Sequence, residues 1–189
     1  VTKSTEAQKG GSAYFGIGND GFRKYSVSFS TGLMDNGWAI TFMGALNTGD
    51  GYVKGTNYEG WTYFGNISKV INDHHKLSLT AFGAPQWHNQ RSTMHYIEDY
   101  KNSPDGGRFN NGYGYINGEA VGSGYGYNYY HKPQVSLNHY WTIDEKSTLT
   151  TSLYGSMATG GGRRARSAAG EMRRFSGGSG NSLSSAINC

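Results

Sequence analysis

Side chains along much of this chain alternate between apolar and polar with a period of two residues, which puts successive side chains on opposite faces of an extended strand. In Tyr25-Ser26-Val27-Ser28-Phe29-Ser30 the odd positions are apolar and the even ones are all serine, so the segment has one oily face and one wet face. Trp38, Ile40 and Phe42 then alternate with Ala39, Thr41 and Met43, and the link between the two segments is Met34-Asp35-Asn36-Gly37. Asn-Gly between alternating runs is the strongest short-range signal for a β-hairpin. The same pattern pairs Trp61 to Ile71 with Lys76 to Phe82 across Asn72-Asp73-His74-His75. It also pairs Val135 to Trp141 with Thr148 to Tyr154 across Asp144-Glu145-Lys146-Ser147. With Ser12 to Gly18 ahead of the first pair, it predicts an antiparallel meander of about seven strands.

The links come in two lengths that take turns. Met34 to Gly37, Asn72 to His75 and Asp144 to Ser147 are short. Asn47 to Gly60, Gly83 to Pro133 and everything after Gly155 are long; Gly18 to Phe22 shares their end of the sheet although it is itself short. A transmembrane β-barrel has this asymmetry, with short periplasmic turns, long extracellular loops and tilted spanning strands of ~9–11 residues. The expected fold is therefore all-β, a partial transmembrane β-barrel, with Trp38, Trp61 and Trp141 in its interfacial aromatic girdles. A soluble β-sandwich alternates in the same way and stays open as an alternative.

Composition narrows the classes. Only 16% of the 189 residues are charged, against roughly 25% in soluble domains, while 30 are Gly and 15 are Tyr. No stretch approaches the ~20 apolar residues of a membrane helix, and the aromatic content is too high for a disordered chain. The single cysteine allows neither a disulfide framework nor a CxxC pair. The net charge of +4 traces to Arg163, Arg164, Arg166, Arg173 and Arg174, without which the basic excess disappears. No basic face with interleaved aromatics is present, so nucleic acid is not an expected partner. Val1 to Lys9 has no charged region followed by an apolar one, so no signal peptide is expected there.

Several segments resemble the start of the barrel in TonB-dependent outer-membrane receptors of Bacteroidetes type. They are Phe22 to Phe29, Asp50-Gly51-Tyr52-Val53 with Tyr58 to Ile67, and above all Lys76-Leu77-Ser78-Leu79-Thr80-Ala81-Phe82-Gly83-Ala84-Pro85-Gln86; Val1 to Thr5 is similar to the last plug strand. The resemblance covers residues 1 to about 155. It implies a barrel of about 22 strands around an N-terminal plug, and energised import of a scarce small-molecule or oligosaccharide ligand. The partners it implies are outer-membrane lipid and, through the plug region, the TonB complex. On this reading the chain is a fragment: residues 1–9 end the plug, 10–155 form the first strands, and 156–189 are an extracellular loop or a non-native tail that lacks a terminal aromatic. A small outer-membrane barrel or adhesin, and a soluble carbohydrate-binding module, are the alternatives.

The candidate ligand contacts are aromatics of the long Gly83 to Pro133 link, which is far beyond ordinary connection lengths. They are Trp87, Tyr96, Tyr100, Tyr113, Tyr115, Tyr125 and Tyr127, with Phe109, Tyr129 and Tyr130 in the same stretch. Flat rings of this kind stack on sugars, haem or a siderophore. His88, His95 and Asp99 could ligate a metal, but their spacing matches no zinc motif, and polar packing is the default. No metal, no cofactor and no enzymatic activity are expected. There is no GxSxG elbow, Cys189 has no activating neighbours, and Glu98 and Asp99, taken as extended, point apart.

Overall fold

The structure, a computed structural model, describes residues 7–91, 94–110, 112–116, 119–121, 126–166, 173–176 and 182–188. The segment compared with a plug strand, Tyr125 and Cys189 lie outside them. β1 (Gly10–Ile17), β2 (Arg23–Leu33), β3 (Trp38–Gly49) and β4 (Tyr58–Val70) follow one another antiparallel. β5 (His75–Gly83) and β6 (Gln86–His88) both pair with β4, the first along residues 63–70 and the second along 58–60, so together they form one interrupted strand. α1 (Ile97–Asn102), the short 3-10 helix Gly106–Arg108 and the small hairpin of β7 (Gly114–Ile116) with β8 (Glu119–Val121) follow. β9 (Asn128–His131) and β10 (Gln134–Thr142) make a second interrupted strand, paired on one side with β6 and β5 and on the other with β11 (Thr148–Arg166). β12 (Arg173–Ser176) and β13 (Ser182–Asn188) pair along the far edge of β11.

The result is an all-β antiparallel meander, as the alternation predicts. The long link is not wholly a loop, because its two ends continue the strands as β6 and β9. What hides them in the sequence is Pro85 and Pro133, which lack an N–H and break the ladder. Their carbonyls still take part: Pro85 O accepts from Trp61 N at 2.8 Å and Pro133 O from Met157 N at 3.3 Å. Glu98 and Asp99 are likewise not extended but sit in the first turn of α1, where Tyr96 N–H donates to Asp99 Oδ2 at 3.0 Å.

The turns follow local chemistry. Asp20 and Gly21 both have positive φ, 55° and 70°, the two-residue turn that matches the twist of a hairpin. At the next hairpin only Gly37 is left-handed, at 78°, closing a turn in which its N–H donates to Met34 O at 2.8 Å. Asn72 and Asp144 tie their turns with side-chain oxygens that accept from His74, His75 and Lys146 backbone N–H groups.

Register carries the two faces across the whole sheet. One row reads Phe29, Phe42, Gly65, Ala81, Val135 and Gly155, and the next Ile40, Ile67, Leu79, Leu137 and Leu153. The opposite face carries Ser30, Thr41, Asn66, Thr80, Ser136 and Tyr154, then Ala39, Ser68, Ser78, Asn138 and Ser152, with rows of larger residues on either side, Met43, Phe64 and Phe82 in one and Val70, Lys76 and Tyr140 in the other. Burial is inverted relative to a soluble domain. Ile67 is 44% exposed beside Asn66 at 1%, and Leu79 is 45% exposed between Ser78 at 5% and Thr80 at 2%. Among the described residues the substantial contacts between strands are all between hydrogen-bonded neighbours, so no second layer covers either face. The asymmetry is that of a sheet curled towards its polar face, where small side chains converge while those on the other side splay apart. Asn66 Nδ2 donates to Ser78 Oγ at 2.9 Å and Thr80 Oγ1 at 2.6 Å, Thr41 bonds Ser30, and Ser152 bonds Asn138. The hydroxyls and the Asn66 amide N–H groups are thus satisfied by one another, as burial requires, while Asn66 Oδ1 has no hydrogen-bond partner.

Candidate functional site

The long-loop end of the sheet gathers most of the candidate residues. On the apolar face a row of partners runs Phe15, Tyr25, Leu46 and Trp61, and the row above it runs Glu59, Trp87, Tyr129 and Gly161. Trp87 stacks with Tyr127 at 6.1 Å, Tyr127 lies 5.8 Å from Tyr129, and the Arg163 guanidinium sits over the Tyr127 ring at 5.2 Å. Two polar groups beside these rings are tied down: Trp61 Nε1 donates to Glu59 Oε1 at 2.9 Å, and Tyr63 Oη is 2.8 Å from His131 Nε2. A cleft of about 370 Å³ lies between Trp61, Trp87, Tyr127 and Tyr129.

A second cleft, of about 400 Å³, adjoins it and draws on the polar face through Asn47, Tyr58, Gln86 and His88. Register explains its lining, since Asn47 is opposite Gly60, Gly60 opposite Gln86, and Tyr58 opposite His88. Asn89 closes one side, donating from Nδ2 to Asn57 Oδ1 at 2.6 Å, while its own buried Oδ1 has no partner. An unpaired buried acceptor is costly, and it lies on the lining of this cleft.

The loop between β6 and β9 returns to the start of the sheet. Arg108 Nη1 donates to Asp20 Oδ1 at 2.5 Å and to Tyr52 O at 3.2 Å, and its guanidinium covers the Tyr52 ring at 4.7 Å. The hydrogen bond to Asp20 raises the Arg108 pKa above its ordinary value. Lys54 pairs with Asp105 at 2.5 Å, and Asn110 Nδ2 donates to Lys54 O at 2.7 Å. Residues from β6 onward are thereby strapped to the β1–β2 turn and to the β3–β4 link.

The sequence candidates therefore divide. Trp87 and Tyr127 come together on the apolar face. Tyr100 packs edge-on against His95 and Phe109, under the Arg91 guanidinium at 5.1 Å, in a small cluster of the loop itself. Tyr96 is 81% exposed at the start of α1. Tyr113 lies against Gly55, where an added Cβ would come within 2.5 Å of its ring, and Tyr115 belongs to β7. His95 Nδ1 is 3.8 Å from Asp99 Oδ2, and the described residues hold no group of three or more metal-ligating side chains. Sequence reading missed Asn47, Tyr58 and Asn89 because none breaks the local pattern. Tyr125, Tyr127 and Tyr129, two apart, already carried the period of a strand.

Compared with known proteins, the chain matches no family model, no curated sequence and no solved structure.

Proposed function

We propose that this chain forms part of the wall of an outer-membrane β-barrel of the TonB-dependent receptor type, with its apolar face in lipid and its polar face towards a watery lumen. The inverted sheet carries the reading. In water such a face would be a continuous exposed apolar patch far beyond what soluble monomers tolerate, whereas lipid needs no second layer.

The dimensions agree. Glu59 and Trp61 in the upper rows lie ten and eight residues from Lys69, which is opposite Trp38. At ~3.4 Å per residue that is ~27–34 Å along the strand, or ~21–26 Å across a membrane at a tilt of ~40°, close to the ~25 Å apolar band of such barrels. Between those rows the apolar face of β4 carries Tyr63, Gly65 and Ile67 and no charge. Trp38, with Lys69 Nζ 5.3 Å from its ring, and Trp141 form the lower girdle; Trp61, Trp87, Tyr127 and Tyr129 form the upper one. Trp87 and Tyr127 then anchor the wall at the membrane surface, and the polar cleft at Tyr58, His88 and Asn89 is the better candidate for first contact with a ligand, beneath the strapped loop. Import energised by TonB is the part of the reading that rests on the resemblance alone.

Single cysteines on a Cys189→Ser background test it in outer-membrane vesicles. Positions Ile67, Leu79 and Leu137 are expected to be shielded from an aqueous maleimide and reachable by a lipid-phase probe, with the exposed polar-face positions Met43 and Phe82 and the half-buried Ser136 reversed. Equal aqueous labelling on both faces would refute the membrane wall. Failure of the intact receptor to bind the periplasmic domain of TonB would leave a wall without the transport role.

A further inference from the structure

The short-turn end of the apolar face holds a pair of histidines that strand pairing does not require. His75 opens β5 and lies opposite Trp141; His139 lies opposite Leu77, so the two imidazoles are diagonal neighbours on one face. His75 Nδ1 is 3.0 Å from His139 Nε2, the rings are within 13° of parallel with centroids 5.2 Å apart, and Trp141 stacks on His75 at 5.6 Å. Both imidazoles are half-buried.

We infer that His75 and His139 form a two-imidazole binding site for a divalent transition-metal ion, with Cu(II) preferred over Ni(II) and Zn(II). Two metal–nitrogen bonds of ~2.1 Å at a right angle place their donor atoms ~3.0 Å apart, the spacing that the strand register holds here. Imidazole suits these three ions, and copper heads the general affinity order. Without metal the two nitrogens share one N–H in their hydrogen bond. On binding, that proton moves to the other nitrogen of the same ring, which keeps both imidazoles neutral, and both lone pairs turn to the ion, whose remaining positions water fills. His74 Nδ1 is occupied at 2.8 Å from Thr142 O, so the neighbouring turn histidine does not supply that atom. The site follows from the pairing of β5 with β10 and does not depend on the barrel reading.

Cu(II) chloride titrated into the folded protein in detergent micelles tests it, with Trp141 fluorescence as one readout and copper EPR as the other. Saturable quenching at one equivalent is expected, absent from a Trp141→Phe variant, weakened at least tenfold in His75→Asn and in His139→Asn, and unchanged in His74→Asn. EPR of the parent should show two coordinated imidazole nitrogens. Unchanged binding in both pair variants overturns the site, as does loss in His74→Asn or an EPR signal with fewer than two imidazoles. The EPR arm uses the parent protein alone, so misfolding of a variant leaves the test decisive.

Discussion

The two faces of the sheet are built by opposite rules from the same strands. On the apolar face Ile67, Leu79 and Leu137 touch side chains they could exchange for one another, and nothing directional joins them. On the polar face Asn66 joins Ser78 and Thr80 through specific hydrogen bonds, so identity matters residue by residue. In a soluble domain the apolar side would hold the jigsaw and the polar side would tolerate change. In mid-sheet the specificity is in the small polar residues, while the middle rows of the apolar face need only to be apolar.

The largest test of that contrast is a charge in the middle of the apolar face. Leu137→Arg is expected to cost about 2–4 kcal/mol in bilayers, read by urea unfolding in lipid, while Ser136→Arg next to it costs far less. Equal costs would erase the distinction between the faces. On the polar side, Asn66→Leu strands two buried hydroxyls and should cost about 1–3 kcal/mol, against almost nothing for Ile67→Leu. Reversal of that order would show the polar ladder to be incidental.

Smaller effects separate the two ends. Gly37→Ala forces a side chain into left-handed backbone with its Cβ 2.6 Å from Val70 O, and about 1–2 kcal/mol is expected for the backbone alone, seen as faster amide exchange in β2 and β3. Arg108→Ala should leave strand exchange unchanged but speed proteolysis between residues 94 and 113; uniform loosening would mean that the strap supports the sheet as well. The smallest concerns pH. Backbone N–H donation from Lys146 lowers the Asp144 pKa, so the ionised form is favoured in the folded state. Its contribution is present above the unfolded value near ~3.9 and fades as pH falls through the lower folded value. Asp144→Asn should therefore lower Tm slightly at pH 7, by an amount that shrinks as pH falls below ~3.9.

Much of the fold was legible because period two needs no distant information. Tyr25 to Ser30 names its own faces, and the short turns announce themselves with Asn-Gly, Asn-Asp and Asp-Glu-Lys-Ser. The strand continuations at Gln86–His88 and Asn128–His131 were not legible, since a proline interrupts each and only the neighbour across the sheet restores the ladder. The candidate site was legible as a composition of aromatics and not as a place. Trp87 and Tyr100 look alike in sequence, yet one joins a strand on the apolar face and the other packs into a loop cluster.

Sequence alone determined that one set of alternate residues is apolar and the other polar, because backbone geometry turns every second side chain the same way. It could not say which set would be covered, since that depends on which way the sheet curls and on whether a second layer exists. Tertiary structure decided both, leaving the apolar set bare and converging the polar set. It also set His75 beside His139, 64 residues apart in the chain, through a register that only the pairing of whole strands can fix.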